Sequence, residues 1–169
     1  LEDPRETVPY VSTLYQAMLD LSDWVERGIA PSSTTDYRIE EGQVVMSANG
    51  ASRGGIQPAV TASIAGQQRV EVAPGTPVSI HVVTECPVHT GRIVKAEWCI
   101  EGTTFCEPVD LAQAQFSADG SRVEFDTTVT YTTAGTYFPT VRVYSERNGD
   151  AETTYTRIAN LGKVRVVVK

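Results

Sequence analysis

Residues 131–145, YTTAGTYFPTVRVYS, constrain what this chain can fold into more than any other stretch. The first half, ending in Ala134-Gly135, has the composition of a tight corner. Beyond it the sequence alternates, with Tyr137, Val141 and Val143 on one side and Phe138, Arg142 and Tyr144 on the other. A period of two is that of a β-strand. One apolar side of such a strand needs a second layer to cover it.

The bulk properties narrow the class. A chain of 169 residues with 41% hydrophobic content is long enough for one full domain and an appendage. It can bury a core without help from metal or disulfides. The net charge of -7, from 14 Lys+Arg against 21 Asp+Glu, argues against nonspecific nucleic-acid binding, which needs a basic surface. The same balance disfavours docking on anionic membranes. No apolar run reaches the ~20 residues of a membrane span. The start, Leu1-Glu2-Asp3-Pro4, is acidic and lacks both a signal peptide and an initiator Met, so the chain reads as an excised or mature piece of a longer protein.

The chain changes character near residue 50. Before it, apolar residues fall at Val11, Leu14, Tyr15, Met18, Leu21 and Val25, the spacing of one helix face. Ser12 is the expected N-cap and Gly28 the expected end of that helix, with Pro31 beyond it. The segment after it, APSSTTDYRIEEGQ, is turn-rich and polar, and ANGASRGG reads as a flexible linker or long loop. Residues 1–54 are therefore expected to form a helix and linker, and 55–169 a separate β domain. Strands are expected at 56–64 (weakened by Pro58), 69–72, 77–84, 92–100, 111–117, 122–131, 137–145, 153–158 and 163–169. Pro74-Gly75, Asp119-Gly120 and Asn148-Gly149 supply turns. Within 77–84, Val78, Ile80 and Val82 share a face. Within 92–100, Ile93, Lys95 and Glu97 point one way, and Val94, Ala96 and Trp98 the other. The expected fold is a mainly β, antiparallel β-sandwich of seven to eight strands with an N-terminal α-helix.

Chemistry is sparsely signalled. There is no G-x-S-x-G elbow, and the two histidines, His81 in a strand and His89 in a loop, fall in no local motif. No catalytic, cofactor-binding or metal-ligating residue is expected, because Cys86, Cys99 and Cys106 lack zinc-like spacing and the acidic turns are explained as turns. Trp98 is expected to point inward, so Cys99 should face out, and Cys106 follows a turn at 101–103. The two are candidates for a disulfide, or else all three thiols are reduced. If the bond forms, Cys86 is left over. Phe138 and Tyr144 share a face and form the candidate binding surface.

At these residues a family comes into view. From about residue 70 to 169 the sequence resembles PKD-like domains, a branch of the immunoglobulin-like sandwiches. Pro74-Gly75 matches the family's turn into its second strand, and Trp98-Cys99-Ile100-Glu101-Gly102 matches its tryptophan run, departing from it at Cys99 and Glu101. Tyr131, Gly135, Tyr137, Pro139, Val141 and Val143 match its last motif. The resemblance implies that Trp98 packs between the sheets and that Tyr137 is a tyrosine corner bonded back to the backbone, with Tyr131 and Gly135 structural beside it. A shorter stretch, DWVERGIAP, looks like the last helix of tannase-like α/β hydrolases. That likeness implies a remnant or connector beside a hydrolase body whose catalytic residues lie outside this chain. The other reading of the helix is an amphipathic element packed against the sandwich.

The expectation is therefore a non-catalytic accessory domain of a larger exported protein, extracytoplasmic and without cofactor. Its partners would be other domains of that protein, or a polysaccharide or protein ligand. Two alternatives stand beside it: a carbohydrate- or polymer-binding module, and the C-terminal part of a tannase-like esterase.

Overall fold

A computed structural model describes residues 6–99 and 106–169. Helix α1 (Val11–Arg27) comes first, then the strands β1 (Tyr37–Glu40) and β2 (Gln43–Met46) and the single turn α2 (Gly50–Arg53). The remaining strands are β3 (Ala59–Ser63), β4 (Arg69–Val72), β5 (Pro77–Glu85), β6 (Arg92–Cys99), β7 (Glu107–Pro108), β8 (Gln115–Phe116) and β9 (Arg122–Thr130). They are followed by β10 (Gly135–Tyr137), β11 (Thr140–Glu146), β12 (Ile158–Lys163) and β13 (Arg165–Val168).

Two four-stranded sheets are formed, with orders β3-β5-β9-β8 and β12-β11-β6-β7, and a three-stranded sheet has the order β10-β13-β4. Along the chain, β3 and β4 are two pieces of one strand that changes sheet. The pairs β10 with β11 and β12 with β13 behave likewise, which makes eight strands in the sandwich among the described residues, beside the separate hairpin β1-β2. One sheet holds the first, second, sixth and fifth strands and the other the eighth, seventh, third and fourth, which with the two-residue β7 set aside is the immunoglobulin-like order. Pairing is antiparallel apart from β4 on β13.

The core follows from the alternation. Val78, Ile80 and Val82 of β5, Val123, Phe125 and Val129 of β9, and Val141 and Val143 of β11 are buried in one cluster. Trp98 of β6 joins them and meets the Phe125 ring edge-on at 6.4 Å.

Several elements depart from the sequence reading. Ile93 was expected to point outward with Lys95 and Glu97, yet it is buried with Ala96 and Trp98. The cause is a register shift: Tyr144 pairs with Lys95 but Ser145 with Ile93, which leaves Val94 as the extra residue of a bulge. Strand 111–117 shrinks to Gln115–Phe116, because Leu111–Gln113 forms a 3-10 turn held by the Asp110 carboxylate on the Ala112 N–H.

No strand forms at 153–157; the last strand pair begins at Ile158. Instead Glu146, nearly fully buried, accepts from the N–H groups of Asn148 (2.6 Å) and Asp150 (3.0 Å) and from the Thr156 hydroxyl (3.1 Å), and so organises the loop. The stretch read as a flexible linker or a long loop carries the turn α2 and is bonded to β5. Asn49 caps α2, and the Gly50 N–H donates to the Glu85 carboxylate at 2.7 Å. A Cβ on Gly50 would stand 2.5 Å from the Glu85 carbonyl oxygen, so only glycine allows this approach.

Candidate functional site

Helix α1 sits the opposite way round from an ordinary surface helix. Its buried residues are Ser12, Gln16 and Asp20. Its apolar stripe faces solvent: Leu14 is 56% exposed, Met18 68% and Val25 75%, and Val11, Tyr15 and Leu21 are exposed as well. The sandwich holds the helix through polar bonds. Arg147, in the loop after β11, grips Asp20 with both terminal nitrogens at 2.5 and 3.2 Å, while Gln16 donates to the same carboxylate at 2.8 Å. Tyr155 meets the Tyr15 ring edge-on at 5.5 Å. The helix starts at Val11 with Tyr10 as N-cap and no side-chain cap, so Ser12 does not serve. It ends at Gly28, whose left-handed backbone (φ 69) lets its N–H reach the Trp24 carbonyl at 3.1 Å.

A second apolar face lies nearby in sequence. In the hairpin β1-β2, Tyr37 pairs with Met46 and Ile39 with Val44, so all four project from one face, and all four are exposed. An isolated two-stranded hairpin has little stability of its own in water. The composition of this segment signals only a polar, turn-rich stretch; the alternation of Tyr37, Ile39, Val44 and Met46 is the signal of the hairpin.

Between α1, the segment after it and the loop 87–91 lies a cavity of about 390 Å³, lined among others by Asp20, Ser32, Ser33, His89 and Arg147. Arg147 is committed to Asp20, and among the described residues no hydrogen bond joins Ser32 or Ser33 to His89. His81, on the open face of β5, contacts Asp126 (3.0 Å) and Glu124 (3.5 Å). Among the described residues no group of three His, Cys, Asp or Glu is gathered to hold a metal ion. The Cys86 thiol is buried, and burial pushes its pKa up to about 12, away from nucleophilic use.

The residues singled out for structure lie as follows. Trp98 is in the core. Tyr137 donates to the Thr133 carbonyl at 2.8 Å and stacks on Tyr131, with ring centroids 3.9 Å apart. Gly135 opens β10 against the Tyr137 ring. Cys99, expected to face out, is buried instead, and it is joined to Cys106 by a disulfide with Cα atoms 4.3 Å apart. The turn residues 101–103, like Ile100, lie outside the described residues.

Phe138 and Tyr144, the candidate binding surface, carry cations. Arg165 lies 6.0 Å from the Phe138 ring, while Lys95 at 5.6 Å and Arg157 at 5.4 Å lie over Tyr144. The Tyr144 hydroxyl donates to Glu97 at 3.1 Å, and burial raises its pKa. Arg142, from the same strand, donates to the Thr7 carbonyl at 2.7 Å, which draws the segment before α1 over this face. Each of the two rings therefore has a cation beside it rather than a bare apolar face. No helix among the described residues is long and apolar enough to cross a membrane.

No protein-family model matches the chain, and no curated protein matches it. Among solved structures, it is similar to the PKD domain of an M14-like peptidase from Thermoplasmatales archaeon SCGC AB-540-F20, at 14% identity and TM-score 0.38, over 66% of this chain and 92% of that one. It is also similar to the CARDB domain of PF1109 from Pyrococcus furiosus, at 19% identity and TM-score 0.39, over 68% and 97%. A third similar structure is a variant of BcpA, the major pilin subunit of Bacillus cereus, at 11% identity and TM-score 0.41, over 81% of this chain and 48% of that one.

Proposed function

We propose that this chain is a non-catalytic accessory domain of a larger, exported protein, acting through protein contacts, spacing or substrate presentation. The observation that carries the reading is the orientation of α1, which gives its polar side to the sandwich and its apolar side to solvent. An apolar stripe of that size costs free energy in water and marks a surface that another protein covers. The apolar face of β1-β2 adds to it. On this reading residues 1–54 form the contact unit and 55–169 the scaffold that holds it. The Cys99–Cys106 bond supports an extracytoplasmic location, since disulfides persist in oxidising compartments.

The test is direct. The 169-residue chain is assayed against aryl esters and on polysaccharide arrays. The expected result is no turnover and no retention. Turnover by the isolated chain overturns the reading in favour of an enzyme. Retention that is lost in Phe138→Ala overturns it in favour of a carbohydrate-binding module.

A further inference from the structure

We propose that helix α1 pairs with α1 of a second copy of this chain, antiparallel about a two-fold axis; the proposal rests on the contact-surface reading above and names the partner. The outward stripe is Val11, Leu14, Met18, Leu21 and Val25, with steps of three and four in strict alternation. That is the spacing of the two seam positions of a coiled-coil heptad. Ser12, Gln16 and Asp20, the residues buried against the sandwich, fall on the opposite side of the helix. The sandwich thus grips the side that a coiled coil leaves to water, and the seam stays open.

Three features select a second copy as the occupant. The stripe reads Val-Leu-Met-Leu-Val in either direction, so reversing the partner helix sets residues of matching size against one another. A two-fold contact demands this kind of self-complementarity. The positions flanking the seam, Tyr15, Ala17, Ser22 and Trp24, carry no charge. They offer nothing to select a partner of opposite sign and nothing to repel an identical one. The seam together with Tyr15, Trp24 and Tyr155 offers eight large apolar side chains that are 42–75% exposed, against the ~800 Å² that each partner contributes to a standard-size interface.

The surface is also shaped and held in place. Beside the seam lies an apolar hollow of about 400 Å³, lined by Tyr15, Met18, Leu19, Tyr155 and Thr156. Pockets of this kind, apolar and aromatic-walled, take the anchor side chains that dominate interfaces. A free helix of 17 residues is only marginally stable. The Asp20–Arg147 clamp presents this one already folded, which lowers the ordering cost of pairing.

Sedimentation velocity of the 169-residue chain tests the proposal. The expected result is a concentration-dependent doubling of the 18.3 kDa mass. Met18→Glu and Leu14→Asp each weaken dimerisation by about tenfold or more. Met18→Leu keeps it, and circular dichroism shows all three variants folded, because both positions are exposed in the single chain. Mixed Val11→Cys and Val25→Cys chains are joined to each other by a short bismaleimide, and neither is joined to itself. A wild type that stays monomeric at its highest soluble concentration, or a Met18→Glu chain that dimerises like the wild type, overturns the proposal. Self-crosslinking of Val11→Cys overturns the antiparallel order. A monomer that still gives no ester turnover and no polysaccharide retention sinks self-pairing alone and leaves the accessory-domain reading standing.

Discussion

At the scale of single residues, carboxylates do much of the shaping, each by accepting hydrogen bonds that a turn leaves over. Asp119 is the clearest local case. It takes the hydroxyl of Ser117 (2.6 Å), and the N–H and hydroxyl of Ser121, and these bonds hold its pKa down to about 2. The value is lower than that of an aspartate in the unfolded chain, near 3.9. Asp119 therefore stabilises the fold fully above about pH 4. That contribution is lost as pH falls toward 2. In denaturant titrations run between pH 5 and 2, the wild type should lose stability more steeply than Asp119→Asn. Parallel curves for the two would contradict the assignment. The Asp119-Gly120 turn was legible because all its partners lie within a few residues. Glu146 was not, since its partners come from a loop reaching to Thr156, and nothing in the local pattern marks a glutamate as buried.

At the scale of elements, strands were legible where Val, Ile and Thr alternate, because the side facing the opposite sheet must be apolar along its length. β5, β9 and β11 show this. β6 shows the limit: the bulge at Val94 reverses the facing of Ile93, and a bulge depends on the partner strand's register, which the alternation of β6 alone does not contain. For α1 the 3-4 spacing identified the helix and Gly28 its end. The spacing also implied a covered apolar face, and the covering here is not supplied by the sandwich. Amphipathicity states that a face is to be buried, not by what. The docking that does occur centres on the Asp20–Arg147 ion pair, with the aspartate side chain 8% accessible and the arginine 30%, beside the Tyr15–Tyr155 ring contact and the Ser12 hydroxyl on the Thr154 carbonyl at 3.5 Å. Replacing Arg147 by Ala leaves the carboxylate buried without its main partner, at a cost of about 2 kcal/mol for a pair of this partial exposure. The effect should fall on the helix. Amide exchange of residues 11–27 accelerates in Arg147→Ala while that of β5 and β9 holds; equal acceleration throughout would place the pair in the global fold instead.

At the scale of the whole molecule, the chain divides its apolar residues between two uses. One set, from β5, β6, β9, β11 and β13, closes a core between sheets. The other, on α1 and on one face of β1-β2, stays outside. On the proposed reading, the faces kept in water are contact surface. The central claim is that α1 presents its apolar side outward and that this side is covered from outside the chain. Hydroxyl-radical footprinting read by mass spectrometry, at low and at high protein concentration, tests it most directly. The account predicts heavy oxidation of Met18 and Trp24 in dilute protein, with Trp98 protected throughout. It predicts that Met18 becomes protected as concentration rises. A Met18 that is protected even in dilute protein would contradict it, because the apolar stripe would then lie against the sandwich.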